Sequence, residues 1–200
     1  MRSINIINSD AETVNNIKTD IIVTDPPFDM TAIKLNNVLD TVKCDHLVLI
    51  TTMRQLIDLI KISKWELSFD FVLDAVVPKK SMSVHQPNYT HATGVYLIKN
   101  KSKSLFNRKL RNRSDTFDGK GYWPTIIKSE RDRMSDDGFA KNIRAMVDII
   151  GSFDVSNVYD PFAGSGTTGF ASIELGIECT LVEIDALKFS ELKKKFNFFL

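Results

Sequence analysis

Two hundred residues suffice for one full-sized domain with a large core and are too few for two ordinary ones. Hydrophobic residues at 43% and charged residues at 26% exclude a disordered or fibrous chain. The net charge of +1 is a whole-chain sum that hides a strong local field, because residues 99–113, KNKSKSLFNRKLRNR, carry seven Lys or Arg and no acid.

Short β-branched runs bounded by turn residues alternate with segments of helical apolar spacing, which predicts an α/β layer fold. In chain order, strands are expected over 4–7 and 21–24, a helix over 32–42, a strand over 47–50, a helix over 54–62, and strands over 71–77 and 94–98. Several of these runs are apolar without alternation, the pattern of a sheet covered by helices on both faces. From 99 to about 138 the periodicity fades and the composition turns basic and loop-like. That stretch is the candidate small insertion, and binding surface, of an otherwise single domain spanning 1–200. Regular patterning resumes with a helix over 139–150, a strand over 158–159, a helix over 167–175, a strand over 180–184 and a helix over 187–199. The last carries Phe189, Leu192, Phe196 and Phe199 on one stripe. Cys44 and Cys179 stand far apart and outside any metal-ligand spacing, so both are expected as reduced thiols and no metal site is expected. The segment MRSINIINSDAETVNN turns polar at once, and no apolar run approaches the ~20 residues of a membrane span, which points to a soluble, cytoplasmic protein.

Two stretches carry chemistry. The strand over 21–24 ends abruptly in Asp25-Pro26-Pro27-Phe28, a carboxylate, two prolines and an aromatic ring. Taken alone this could be a strand end closed by a rigid turn. Near the C-terminus the order strand, glycine-rich turn, helix, strand, acid is what a nucleotide-type ligand needs. Gly164 and Gly166 let the backbone approach a ligand, the helix opening at Thr167 offers N–H groups, and Glu183 stands where it can accept from ribose hydroxyls. Gly164-x-Gly166-x-x-Gly169 also fits the dinucleotide fingerprint. A nucleotide-dependent oxidoreductase would need a second mononucleotide half, for which too little chain follows, and would leave 25–28 unexplained.

Together the two stretches are specific. Asp160-Pro161-Phe162-Ala163-Gly164-Ser165-Gly166-Thr167-Thr168 resembles the S-adenosylmethionine-binding loop of amino-group DNA methyltransferases, and Asp25-Pro26-Pro27-Phe28 resembles their catalytic tetrapeptide. The order, catalytic motif first and cofactor loop last, resembles the permuted beta class, which includes many adenine-N6 and some cytosine-N4 enzymes. The resemblance covers about 4–185 and is weakest over 99–138. It implies a doubly wound, mostly parallel Rossmann-like sheet of about seven strands, S-adenosylmethionine as cofactor, and a place in DNA methylation or restriction–modification in a bacterial or phage-infected cell, as monomer or homodimer. It adds Asp10, in Asn8-Ser9-Asp10, as a candidate near the cofactor adenine, although an ordinary turn aspartate reads the same. It also adds Lys141, where the family usually shows Lys-Pro and this chain has Asn142, and it sets His91-Ala92 where relatives carry His-Glu.

The resemblance implies the following chemistry. Adenine's amino nitrogen is a poor nucleophile because its lone pair is delocalised into the ring. If the Asp25 carboxylate and the Pro26 carbonyl each accept one N–H, the lone pair is directed at the sulfonium methyl group, with Phe28 stacked on the base. The Asp25 carboxylate can take the proton late, since methylation makes the nitrogen acidic. The target lies inside a duplex, so the base must be flipped or the substrate single-stranded. Phosphate contacts are expected from Lys99, Lys101, Lys103, Arg108, Lys109, Arg111 and Arg113, unless the run is only a solvated loop. Tyr122 and Trp123 join the arginines as candidates to reach base edges or wedge into the stack.

Overall fold

The computed structural model describes residues 3–74, 91–107, 123–128 and 142–197. The elements are β1 (Ile4–Asn8), a 3₁₀ turn (Ala11–Thr13), β2 (Ile17–Lys18), β3 (Ile21–Thr24), α1 (Ala32–Asp40), β4 (Val42–Lys43), β5 (His46–Thr51), α2 (Met53–Ile62), β6 (Glu66–Asp74), β7 (Ala92–Ile98), β8 (Ile126–Lys128), α3 (Ile143–Ile150), β9 (Asn157–Asp160), α4 (Thr167–Leu175), β10 (Glu178–Glu183) and α5 (Ala186–Lys195). Eight strands form one sheet in the order β1-β10-β9-β3-β5-β7-β6-β8, and β2 and β4 make a separate two-stranded pair. Every pairing in the large sheet is parallel except those of β7, which runs antiparallel to both β5 and β6.

Alternation along each strand divides the core in two. Ile21, Val23, Val48, Ile50, Val158 and Leu181 face one layer with Met146 and Ile149 of α3, Ala171 of α4, Leu192 of α5 and the adjoining Phe196. Ile22, Leu47, Leu49, Tyr159 and Val182 face the other with Leu35 and Leu39 of α1 and Leu56 and Leu59 of α2. Helices on both faces explain why these strands read as unbroken apolar runs. The doubly wound α/β expectation is therefore correct, with one strand more than the sequence suggests.

The extra strand is β8, three residues from within 99–138, which pairs parallel with β6 and so joins part of that stretch to the main sheet. It is too short to show a period. At α1 the expected end at 42 is shortened, because Thr41 caps the helix and Val42 enters β4. At α3 the described helix begins at Ile143, with the Asn142 side chain accepting from the Arg144 and Ala145 N–H groups; residues 139–141 of the expected helix lie outside the described residues, as do 75–77 of the expected strand and Phe199. Cys44 and Cys179 are buried free thiols. No helix among the described residues is long and apolar enough to cross a membrane.

Candidate functional site

All parallel strands end at one edge, which gathers Asn8, Thr24, Thr51, Asp160 and Glu183. Ligands of open α/β sheets bind at this edge. A cavity of about 820 Å³ opens there, a size typical of small-molecule sites. Its lining unites both sequence motifs: Asp10 after β1, Asp25, Pro26, Pro27 and Phe28 after β3, Asp160, Phe162, Gly164, Ser165, Thr167 and Thr168 around the glycine turn, and Glu183 after β10.

The glycine turn takes its shape from the residues beneath it. Gly164 and Gly166 adopt φ of +51° and +86°, the left-handed region open to glycine. A β-carbon on Gly166 would lie 2.6 Å from Leu192 Cδ2 and 2.9 Å from Phe196 Cε2, so this glycine faces α5 and its neighbouring ring rather than the cavity. Gly169 has the same constraint against Leu181 and Phe196, each 2.8 Å away. A β-carbon on Gly164, by contrast, would meet only the Phe162 carbonyl oxygen, at 3.9 Å, an ordinary van der Waals contact. Gly166 caps α4 without any side-chain hydrogen bond, which leaves the positive helix end to backbone N–H groups.

Two carboxylates tie the turn to the sheet. Glu183 Oε2 accepts from the Gly164 N–H at 2.9 Å and Oε1 from the Asp185 N–H at 2.9 Å, so each oxygen keeps further acceptor capacity for a ligand. Asp160 is almost fully buried. It accepts from Thr24 Oγ1 at 2.8 Å, the Phe162 N–H at 3.0 Å and Thr168 Oγ1 at 2.7 Å. It thus joins the strand that carries Asp25 to the helix that follows the glycine turn. Burial pushes its carboxyl up to about 6 against the pull of those three bonds, and the Asp25 charge adds to the rise. Asp10 caps the 3₁₀ turn through the Glu12 N–H at 3.1 Å, with Lys34 Nζ 3.9 Å from its other oxygen.

At the tetrapeptide, Pro26 is buried, Asp25 half-buried and Phe28 43% exposed toward the cavity. The Pro27 carbonyl accepts from the Met30 N–H at 3.0 Å and closes a turn over 27–30. It also accepts from Gln55 Nε2 at 3.1 Å. The carbonyl consumed by the turn is therefore that of Pro27, not that of Pro26. Gln55 belongs to neither of the two chemical motifs, and its contact with this turn escapes sequence reading.

Of the basic segment, residues 99–107 are described, and they follow the end of β7. β7 runs antiparallel, beginning at the cavity edge beside Thr51 and ending beside His46 at the opposite edge, about 20 Å away by strand rise. Lys99, Lys101 and Lys103 follow that far end: the Lys99 N–H bonds to the Asp45 carbonyl at 3.1 Å and its ammonium stacks 4.7 Å over the Trp65 ring. Trp123 is partly buried and packs edge-on against Phe69, Phe71 and Phe106 at centroid distances of 6.0, 5.5 and 5.4 Å. Arg108, Lys109, Arg111, Arg113, Tyr122 and Lys141 lie outside the described residues. Among the described residues no group of three or more His, Cys, Asp or Glu side chains could hold a metal ion.

No family model and no curated protein sequence matches the chain. Solved structures do. M1.HpyAVI, in complex with S-adenosylmethionine, superposes with a TM-score of 0.71 at 22% identity, covering 96% of this chain and 99% of that one. TTHA0409 of Thermus thermophilus, complexed with S-adenosyl-L-methionine, gives 0.67 at 14% identity over 99% and 94%. The cytosine-N4-specific PvuII DNA methyltransferase gives 0.74 at 13% identity over 94% and 84%. At these identities the likeness is one of fold, and the chain has the α/β fold of all three proteins.

Proposed function

We propose that this chain is an S-adenosylmethionine-dependent DNA methyltransferase acting on the exocyclic N6 amino group of adenine. The observation that carries the reading is that one cavity is lined by both Asp25–Phe28 and the glycine turn with Glu183. The residues fit the cofactor. Glu183 has acceptor capacity for ribose hydroxyls, Gly164 lines the cavity without a side chain, and Phe162 supplies an apolar wall. Ser165, Thr167 and the uncapped start of α4 supply donors, and Asp10 stands at the β1 end of the cavity. Asp160 and Gly166 act from beneath, by holding the turn. When bound, the cofactor supplies an electrophilic methyl group on a positive sulfonium.

The chain's own residues do the rest. Asp25 and the Pro26 carbonyl accept the two amino N–H bonds and orient the nitrogen lone pair. Phe28, exposed at the cavity, offsets part of the stacking lost when a base leaves the duplex, a contact worth roughly 1–3 kcal/mol. The Asp25 carboxylate takes the proton released after transfer. DNA with a flipped or single-stranded target base is the partner this site accepts.

A cytosine-N4 reading has its own support in the likeness to PvuII DNA methyltransferase, because the tetrapeptide chemistry serves any exocyclic amino group. Incubation with radiolabelled S-adenosylmethionine and DNA or RNA, followed by nucleoside digestion, separates the readings. N6-methyladenine in DNA is the expected product. N4-methylcytosine, or label confined to RNA, would reassign the substrate, and label in neither nucleic acid would sink the proposal.

A further inference from the structure

Thr52-x-x-Gln55 has the form of a capping box, in which the third-position glutamine returns to the N–H of the cap residue. Only half of that box forms. Thr52 Oγ1 accepts from the Gln55 N–H at 3.3 Å, but the Gln55 side chain turns away from its own helix. Its Nε2 donates to the Pro27 carbonyl at 3.1 Å and the Met30 carbonyl at 3.0 Å, while its Oε1 accepts from Thr51 Oγ1 at 2.6 Å. The amide orientation is fixed chemically, since two carbonyls can only accept and the amide nitrogen must face them. Gln55 is 5% exposed, so this triple bond set is shielded from competing water. It brackets both ends of the 27–30 turn, on whose first corner Phe28 stands.

We propose that Gln55 is a positioning residue whose buried amide clamps the Pro27–Met30 turn, so that Phe28 and the Pro26 carbonyl present a fixed geometry to the target base. This rests on the methyltransferase reading above. The first and last carbonyls of the turn are thus tied to one buried side chain. Thr51, at the end of β5, sets the amide and thereby couples the sheet to the turn. A misplacement of about 1 Å at a reacting centre can cost on the order of 100-fold in rate.

The test uses Gln55→Leu, which removes the amide, and Gln55→Glu, which keeps its volume and the acceptor for Thr51 but removes the donating nitrogen. Thermal melts and cofactor titration calorimetry establish that each is folded and binds S-adenosylmethionine within about twofold of wild type. Two readings follow on the same preparations: kcat and KM at saturating DNA, and amide hydrogen exchange at the Met30 N–H, which closes the turn. The expected result is a kcat loss of roughly 10- to 100-fold with faster Met30 exchange and an unchanged cofactor affinity. A folded variant that retains near-normal kcat overturns the proposal. Should Gln55→Leu fail to fold, Gln55→Glu decides it on the same criteria. If the wild type methylates no nucleic acid, the functional reading fails; Met30 exchange then judges the clamp alone, and unchanged exchange overturns it.

Discussion

The Asp160 carboxylate accepts three hydrogen bonds and still holds its proton to about pH 6, because burial outweighs them. The unfolded carboxyl releases its proton near 3.8, so between about pH 4 and about pH 6 the native state binds more protons than the unfolded chain. Stability from this group therefore falls as pH rises through that window and is level above it. The full span is on the order of 3 kcal/mol. Urea midpoints of wild type and Asp160→Asn across the window should converge toward acid pH for the charge-cost part and diverge above it in favour of the neutral side chain, offset by the acceptor it loses to Thr168. A difference that stays flat with pH would show that Asp160 titrates as an ordinary carboxyl. From the sequence Asp160 reads as a cofactor ligand, because its place in the motif is visible but its depth is not. Gln55 is illegible for a related reason: a glutamine in the first turn of a helix is ordinary, and only the approach of the 27–30 turn gives its amide a task.

At the scale of elements, the glycine turn depends on α5 and the ring that ends it. Phe196, fully buried, lies 2.9 Å from the position of a Gly166 β-carbon and 2.8 Å from that of Gly169. Phe196→Ala should cost roughly 3–5 kcal/mol of stability, read as a shifted denaturant midpoint, and should weaken cofactor binding through loss of the floor under the turn. Gly166→Val should act through the same contact, by collision with Leu192 and Phe196 and by strain at positive φ; a valine variant with unaltered cofactor affinity would contradict that. The elements most legible in sequence are those with clear punctuation. α4 runs Thr167–Leu175 as expected, between Gly166 and Gly176, both in the left-handed region, and β3 matches its expected span, three β-branched apolar residues and Thr24. β2 and β4 have two residues each, too few for a period to show. β6 begins at Glu66, ahead of its expected start at 71, where a register shift between Leu67 and Phe69 breaks the alternation.

At the scale of the whole molecule, topology sets where a local charge run lies relative to the cavity. Seven basic residues in fifteen suggest a phosphate-binding surface, yet the antiparallel course of β7 delivers Lys99, Lys101 and Lys103 to the edge of the sheet away from the cavity. Neutralising two of them, Lys101→Gln with Lys103→Gln, should leave the slope of log affinity against log salt for DNA nearly unchanged. Loss of two phosphate contacts would lower it by about 1.8. Lys99 is left in place because its ammonium stacks on Trp65. The central claim is that Asp25 and the glycine turn form one methyl-transfer site, and Asp25→Ala tests it most directly when methyl transfer to DNA and S-adenosylmethionine binding are measured on one preparation. The account predicts cofactor affinity within a fewfold of wild type and transfer reduced by at least roughly 100-fold. Near-normal transfer by a folded Asp25→Ala protein would contradict it.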